Sequence, residues 1–255
     1  NALFARKYLW GFPDDKGRHN NIDWPYTAFM AASEPLKAFD ADKESFIGLY
    51  NSLERPQAMR DQVLAGRTGR FGDAIAALQV AVKLTPGASH TLVFTLGAAE
   101  QGREDAAALI RRYTSLEASA QALEDVRAFW SRFVDGERVE TPDEALNFIT
   151  NDWLKYQAIS CRLWGKSAYY QVSAGYGFRD QLQDSQIFLV GEPEYAKKQL
   201  LFHAAQQFVE GDVLHWWFSI RGGGPRTNCS DDLLWLPFIL DAYLKETADY
   251  AILDA

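Results

Sequence analysis

Gly175-Tyr-Gly-Phe-Arg-Asp-Gln-Leu-Gln-Asp184 places one arginine and two carboxylates on a glycine-flanked loop that opens a helix. Asp180 and Asp184 are four residues apart, so a helix puts both on one face, one turn apart. Arg179 stands directly before them. A guanidinium donor beside two carboxylate acceptors suits the hydroxyl groups of a sugar ring, which need partners of both kinds. The alternative is a helix-capping acid with a solvated ion pair.

A second stretch carries a comparable density of polar and aromatic residues. It consists of His215-Trp-Trp217 followed by Arg221-Gly-Gly-Gly-Pro-Arg-Thr-Asn-Cys-Ser-Asp-Asp-Leu-Leu-Trp-Leu-Pro237. Together with the first stretch, it resembles the phosphorylases of glycoside hydrolase family 94 and the related C-terminal region of cyclic β-1,2-glucan synthases. Two shorter segments, Asn151-Asp-Trp-Leu-Lys-Tyr-Gln157 and Ser167-Ala-Tyr-Tyr-Gln171, extend the resemblance. It covers the whole chain, weakly before residue 140 and strongly after it.

Composition excludes several classes of partner. The net charge is −8 and the chain has no cluster of basic residues, so nucleic acid is not an expected partner. Cys161 and Cys229 imply no disulfide framework, and no apolar run has the length of a membrane span. We therefore expect a cytoplasmic location. The histidines and cysteines lack metal-ligand spacing, so no metal site is expected.

The first hundred residues are typical of strands and loops. Ala77–Leu84 and His90–Leu96 are strand-like segments on either side of a Pro-Gly turn, which predicts an antiparallel hairpin. Antiparallel pairs usually belong to a sandwich. The resemblance implies that residues 1–100 form the C-terminal part of a β-sandwich domain.

Helical patterns begin near residue 101 and continue to the end of the chain. Residues 101–139 are rich in Ala, Leu, Glu and Arg, which predicts a helical linker. Thr141-Pro-Asp-Glu144 predicts a helix start with Thr141 as the N-cap. Further helices are predicted at 180–190, 193–210 and 230–246, the last capped by Ser230.

The helix that starts near Thr141 is also expected to bury an apolar stripe. The members of this stripe recur at helical spacing; they are Leu146, Ile149, Trp153, Tyr156 and Leu163.

The expected fold is therefore multidomain, with α and β parts: the end of a β-sandwich, a helical linker and then part of an (α/α)6 toroid. The toroid follows from the resemblance, which assigns residues 140–255 to the N-terminal part of a catalytic domain of twelve helices. The order of the elements is a separate observation. Strands come first and helices follow without intervening strands, which argues against a βαβ sheet.

The resemblance also implies roles for particular residues. Arg179, Asp180 and Asp184 are expected to line the subsite for the non-reducing glucosyl residue. Trp216, Trp217 and Trp235 could stack on sugars or fill the space between helices. The Gly222-Gly-Gly224 run between Arg221 and Arg226 could hold phosphate, although a plain flexible loop is an equal alternative. The full set of candidate substrate-binding residues is Arg179, Asp180, Asp184, Trp216, Asp231, Asp232 and Trp235.

Members of the resembled family cleave a β-glucosidic bond with inorganic phosphate and invert the anomeric centre. Phosphate is already an anion, so one protonated carboxylic acid suffices. In the family, that acid lies in an Asp-Trp-Asn-Asp signature, which this chain does not contain. The catalytic acid is thus unknown, and we expect the isolated chain to be inactive. Inorganic phosphate is the expected co-substrate, with no cofactor.

Two other functions stay open: a non-catalytic glucan-binding fragment, and the C-terminal region of a cyclic β-1,2-glucan synthase. The expected partners are a β-glucoside or oligosaccharide, inorganic phosphate, and either the remainder of the toroid or a second copy of the chain. Cellobiose-like, β-1,2-linked and aldonic-acid-terminated substrates are all compatible with the sequence.

Overall fold

The computed structural model describes residues 1–8, 25–69, 72–166, 175–218 and 222–255. Contacts divide the chain into two units, Asn1–Asp125 and Val126–Ala255. Two stretches from the sequence motifs, Ser167–Gln171 and Arg221, lie outside the described residues.

The first unit contains two antiparallel sheets. Its strands are β1 Ala2–Arg6, β2 Thr27–Ala32, β3 Leu36–Asp42, β4 Ala74–Val80 and β5 Phe94–Ala99. One sheet has the order β1-β2-β5, and the other pairs β3 with β4. The predicted hairpin is therefore wrong, because β4 and β5 belong to different sheets.

The register between β2 and β5 explains this pairing. Phe29 of β2 lies opposite Gly97 of β5, and a side chain on Gly97 would collide with the Phe29 ring. Phe29 and Ala99 are buried together with Ala106 of helix α3, which runs from Arg103 to Tyr113. Burial of this apolar cluster favours the pairing of β5 with β2 over a local hairpin with β4.

Two short helices and one long helix complete the first unit and lead into the second. They are α1 Lys43–Ile47, α2 Gln57–Asp61 and α4 Leu116–Val134. The buried carboxylate of Asp40 accepts hydrogen bonds from the Ser45 hydroxyl and the Ala65 N–H, which fastens the loops that follow β3.

The second unit continues with a helical run over residues 144–164. It comprises α5 Glu144–Phe148, a π-helical segment Ile149–Trp153, α6 Leu154–Tyr156 and a second π-helical segment Gln157–Trp164. The predicted N-cap at Thr141 is wrong. Asp143 caps α5 instead, because its carboxylate accepts from the N–H groups of Ala145 and Leu146.

The predicted apolar stripe on this run is also wrong for most of its members. Leu146, Ile149, Trp153 and Tyr156 are each between 42% and 48% exposed, whereas Leu163 is buried. A π-helical turn is wider than an α-helical turn, so residues spaced for an α-helix no longer share one face.

The remaining elements of the second unit alternate short strands and helices. They are β6 Gly175–Gly177, α7 Phe178–Ser185, a 3-10 turn Gln186–Phe188, α8 Pro193–Ala204, β7 Trp216–Phe218, α9 Asp232–Thr247 and a last 3-10 turn Tyr250–Asp254. The three helices predicted after residue 180 are confirmed, although α8 ends at Ala204. Ser230 is not the cap of α9, since Asp231 holds that position.

Strands β6 and β7 form an antiparallel pair that brings the two sequence motifs side by side. Gly177 lies opposite Trp216, and Tyr176 lies opposite Trp217. The chain then returns along β7, with the Gly222 N–H donating to the Phe218 carbonyl. The pairing thus places the start of α7 beside the segment that leads into α9.

The core of the second unit is aromatic and encloses one histidine. Its largest fully buried members include Phe178, Phe188, Leu182, Ile239 and Tyr243. His203 of α8 is fully buried as well, and its ring contacts those of Phe178 and Trp217 at centroid distances of 5.6 and 5.2 Å. Its Nδ1 lies 2.8 Å from the Gln199 carbonyl oxygen and donates to it, because a carbonyl can only accept.

The order of a sandwich-like β unit followed by a mainly helical unit agrees with the sequence expectation. The expectation that no strands lie among the helices is wrong, because β6 and β7 lie there and pair with each other. Within the described ranges, no helix is both long enough and apolar enough to cross a bilayer.

The buried His203 is expected to make stability depend on pH. Burial lowers the pKa of His203 from an ordinary value of 6.5 to about 4. Between these values the unfolded chain binds a proton that the folded chain does not, so acidification favours unfolding. The free energy of unfolding should fall by up to about 1.4 kcal/mol per pH unit over that window.

Urea unfolding of the wild type and of His203→Gln, followed by tryptophan fluorescence, measures this effect. In the variant, the free energy of unfolding should no longer show the fall with acidification that His203 causes between its two pKa values, 6.5 and about 4. This holds whatever the stability of the variant near neutral pH. An equal pH dependence in both proteins would contradict the assignment.

Gly224 is expected to tolerate no side chain. A methyl group at this position would collide with the backbone carbonyl of Trp216, whereas one at Gly191 would meet nothing within 4 Å. Gly224→Ala should therefore cost more than about 2 kcal/mol of unfolding free energy. The matched control Gly191→Ala should stay within about 0.5 kcal/mol of the wild type. Similar melting temperatures for the two variants would count against this close backbone approach.

Candidate functional site

The loop between β6 and α7 is shaped by two local interactions. The Gly177 N–H donates to the side-chain carbonyl of Gln181 at 2.6 Å. A side chain at Gly177 would collide with the carboxylate of Asp180, so glycine lets that carboxylate fold back over the loop. Together these contacts start the helix at Phe178 and fix the direction in which Arg179 leaves it.

Arg179 joins the two sequence motifs. Its Nη1 donates to the Asp231 carboxylate at 2.7 Å, and both side chains are partly exposed. This hydrogen bond raises the pKa of the Arg179 guanidinium and lowers the pKa of the Asp231 carboxyl, so both groups stay charged. Arg179 thus binds the residue directly before α9, and its expected contact with a sugar stays a prediction.

Asp232, the next residue, is fully buried. Its Oδ2 lies 2.6 Å from His215 Nδ1 and 2.5 Å from the Thr227 hydroxyl. Its Oδ1 has no hydrogen-bond partner among the described residues, and Arg179 Nε is 4.0 Å away. A carboxylate without exposed surface cannot reach a ligand in this structure. Asp232 thus holds the segments of the site together in this structure, and its expected contact with a sugar stays a prediction.

His215 is fastened through its backbone as well as its ring. Its N–H donates to the Pro225 carbonyl at 2.9 Å, and its own carbonyl accepts from the Phe178 N–H at 3.0 Å. With the ring bound to Asp232, this single residue connects the start of α7, the segment that returns along β7 and the start of α9.

Three residues of this cluster could also supply ligands to a metal ion. The candidate ligand atoms of His215, Cys229 and Asp232 lie within 4.8 Å of one another. However, Asp232 Oδ2 already faces two donors, and the cluster lies at the positive end of α9 near the Arg179 guanidinium. These contacts favour a hydrogen-bonded network over a cation site. The absence of a metal site stays a prediction.

Asp184 is paired with an arginine that sequence reasoning missed. Arg162, on the second π-helical segment, donates from Nε to Asp184 Oδ2 at 2.9 Å. Burial raises the pKa of Asp184, and the nearby guanidinium acts in the opposite direction. No periodicity connects residues that lie on different helices and are 22 positions apart, so only the packing of α7 against this segment reveals the pair.

The tryptophans of the site differ in exposure. Trp216 is 37% exposed and meets Phe218 edge to face at 5.1 Å, whereas Trp217 is buried in the core. Trp235 is partly buried and packs edge to face on Phe238 at 5.4 Å. Of the three, Trp217 therefore fills space between elements, and Trp216 keeps a surface on which a sugar could stack.

The arginines expected to bind phosphate have a different setting. Arg221 lies outside the described residues. Arg226 donates to Asp212 and, at 3.0 Å, to Glu210, and its guanidinium lies 4.1 Å from the centre of the Phe208 ring. The Gly222 N–H is also engaged, since it donates to Phe218. An anion would have to compete with two carboxylates at Arg226, so its role with phosphate stays a prediction.

Comparison with known proteins finds a family match in each of the two units. Residues 2–116 match the family model described as "Glycosyl hydrolase 94, supersandwich domain". Residues 129–255 match "Glycosyl hydrolase 94 superfamily, catalytic domain". The boundary between the two matches falls within helix α4.

Individual relatives include a synthase and several phosphorylases. The chain is 39% identical to "Cyclic beta-(1,2)-glucan synthase NdvB" of Rhizobium meliloti over 91% of its own length. It is 29% identical to "Solabiose phosphorylase" of Paenibacillus borealis over 91%, and 28% identical to "Cellobionic acid phosphorylase" of Neurospora crassa over 88%. The chain spans 8% of the synthase and 28% of each of these two phosphorylases.

Two models of one family cover nearly the whole chain in the order that the structure shows, with the site on the catalytic-domain part. The chain therefore belongs to glycosyl hydrolase family 94.

Proposed function

We propose that this chain supplies part of the glucosyl subsite of a glycoside phosphorylase. The reaction is the inverting phosphorolysis of a β-linked glucoside to α-glucose 1-phosphate. In this proposal the helical unit is part of an (α/α)6 toroid, and the ring is completed by further helices of the same protein or by a second copy of the chain.

The observation that supports this function is the set of charged groups along α7. Arg179 offers donors beside Asp231, and Asp184 offers an acceptor beside Arg162. Asp180 lies between them in sequence and acts electrostatically on both Arg179 and Asp184. The side chains of Arg179, Asp184 and Asp231 all keep exposed surface. Paired donors and acceptors of this kind match the hydroxyl groups of a hexose.

The chemistry requires little beyond positioning and one proton. Phosphate oxygen attacks the anomeric carbon, the bond from that carbon to the bridging oxygen breaks, and a carboxylic acid protonates the departing oxygen. Inversion follows from attack on the face opposite the leaving group, as water attacks in inverting hydrolases. The residues described above hold the glucosyl unit, and the acid is not among them.

A second function is favoured by one comparison. Identity to the cyclic β-(1,2)-glucan synthase is 39%, against 29% and 28% for the two phosphorylases named above. The chain would then be the corresponding region of such a synthase, acting on β-1,2-linked glucan. A third reading, glucan binding without turnover, uses the same subsite but requires no acid.

The subsite is expected to bind glucose through Arg179 and Asp184. Arg179→Gln removes a charged donor, and Asp184→Asn removes a charged acceptor. Each should weaken the binding of D-glucose about tenfold, the effect expected for the loss of one charge-assisted hydrogen bond. Ligand-observed NMR titration of the 255-residue chain measures these affinities.

Arg138→Gln is the matched control for these variants. Arg138 pairs with Asp135 and Asp152 in the same unit, and no hydrogen bond or ion pair seen among the described residues joins it to the site. The Arg138→Gln substitution should leave the affinity for glucose unchanged. If both site variants bind glucose as tightly as the wild type, the glucosyl subsite is placed wrongly.

The isolated chain is expected not to turn over any β-glucoside. Sophorose and cellobiose, each with inorganic phosphate, should release no glucose 1-phosphate, since the chain lacks the Asp-Trp-Asn-Asp signature that carries the acid in the resembled family. A phosphoglucomutase-coupled assay on protein of verified intact mass provides the measurement. Glucose 1-phosphate formation by the pure chain would contradict the expectation. Preferential binding of sophorose over cellobiose would favour the synthase-like function.

A further inference from the structure

We propose that Arg162 is a positioning residue for substrate recognition: it holds the Asp184 carboxylate as a fixed acceptor for one hydroxyl group of the bound glucosyl unit. This inference rests on the proposed function, and it assigns a role to a residue outside both sequence motifs.

The geometry divides the two oxygens of Asp184 between two tasks. Oδ2 accepts from Arg162 Nε at 2.9 Å, which restrains this oxygen and limits rotation of the carboxylate. Oδ1 has no hydrogen-bond partner within the described part of the chain, and the side chain is only partly buried. An acceptor with one oxygen anchored and the other directed at a ligand can distinguish a hydroxyl from a hydrogen at one ring position.

The electrostatics explain why an arginine is needed here. Partial burial and the neighbouring Asp180 both raise the pKa of Asp184, which favours the neutral acid. The Arg162 guanidinium acts against both. Of the other charged groups at the site, the Arg179 guanidinium donates to Asp231, and the Asp232 carboxylate faces His215 and Thr227. Arg162 is therefore the group that opposes this rise in the pKa of Asp184 and favours the charged form, which is the stronger acceptor.

A second consequence concerns specificity among sugars. The planar guanidinium of an arginine restrains the direction of the hydrogen bond from its Nε to the carboxylate. The ammonium group of a lysine is more mobile and would restrain the carboxylate less. The Arg162–Asp184 pair should therefore set which hydroxyl group of the glucosyl ring is required, and loss of Arg162 should relax that requirement.

The test compares Arg162→Gln with Asp184→Asn in binding D-glucose and its 2-, 3-, 4- and 6-deoxy analogues. In the wild type, one deoxyglucose should bind about tenfold more weakly than glucose, the penalty for losing one hydrogen bond to a charged group. Both variants should lose this difference while discriminating against the other three analogues as the wild type does.

The dependence of glucose affinity on pH provides a second measurement, and general destabilisation of the protein would not shift it. Glucose binding that uses the Asp184 carboxylate weakens as pH falls through the pKa of that group. Without Arg162 this pKa is higher, so in Arg162→Gln the loss of affinity should begin at a higher pH. Arg162→Lys should restore the wild-type pH profile, since it keeps the charge, but should recover only part of the hydroxyl discrimination.

The outcomes separate this inference from the proposed function. If Asp184→Asn loses affinity while Arg162→Gln keeps the wild-type affinity, discrimination and pH profile, Arg162 has no positioning role, although the subsite stands. A uniform loss in Arg162→Gln for all five sugars at every pH also overturns the role, because that pattern indicates structural damage. If Asp184→Asn has no effect, the subsite itself is wrong. If Arg162→Gln fails to fold, the test uses only the discrimination of Arg162→Lys between glucose and its deoxy analogues. Discrimination equal to that of the wild type would overturn the proposal.

Discussion

The buried carboxylate of Asp232 is the constraint on which the site depends. A charge removed from water costs several kcal/mol unless hydrogen bonds replace the lost hydration. His215, directly before β7, and Thr227, in the segment between β7 and α9, supply those bonds. The carboxylate therefore determines where that segment lies. Because the backbone of His215 also accepts from the first residue of α7, the same contact fixes the helix that carries Arg179.

The aromatic core also stabilises the arrangement of β7 and α7. Trp217 is buried against Phe178 and His203, so β7 and α7 share one apolar face. Its neighbour Trp216, opposite Gly177, keeps an exposed surface. The alternation of side chains along a strand thus explains why adjacent tryptophans have different roles, one in the core and one available to a ligand.

Family membership and the geometry of the site give different kinds of information about function. The matches to the two glycosyl hydrolase 94 domains concern ancestry and domain order. They do not distinguish a phosphorylase from a glucan synthase, since relatives of both kinds align over about nine tenths of the chain. The proposed hydroxyl preference of the glucosyl subsite, by contrast, rests on the pairing of Arg162 with Asp184, which is a property of the packed helices.

The sequence by itself determined that a strand-rich part precedes a mainly helical part, and about where α7 and the two motifs lie, because these depend on local propensity and on short-range patterns. It misplaced the N-cap at Thr141 and the stripe through Trp153, since competing side-chain caps and π-helical turns do not show in α-helical spacing. Only the tertiary structure decided that β5 joins β2, that Arg179 pairs with Asp231 and that Arg162 holds Asp184. Each of these contacts joins residues from separate elements. Burial and charge pairing between the elements select such contacts, whereas the local conformational preferences near either residue do not.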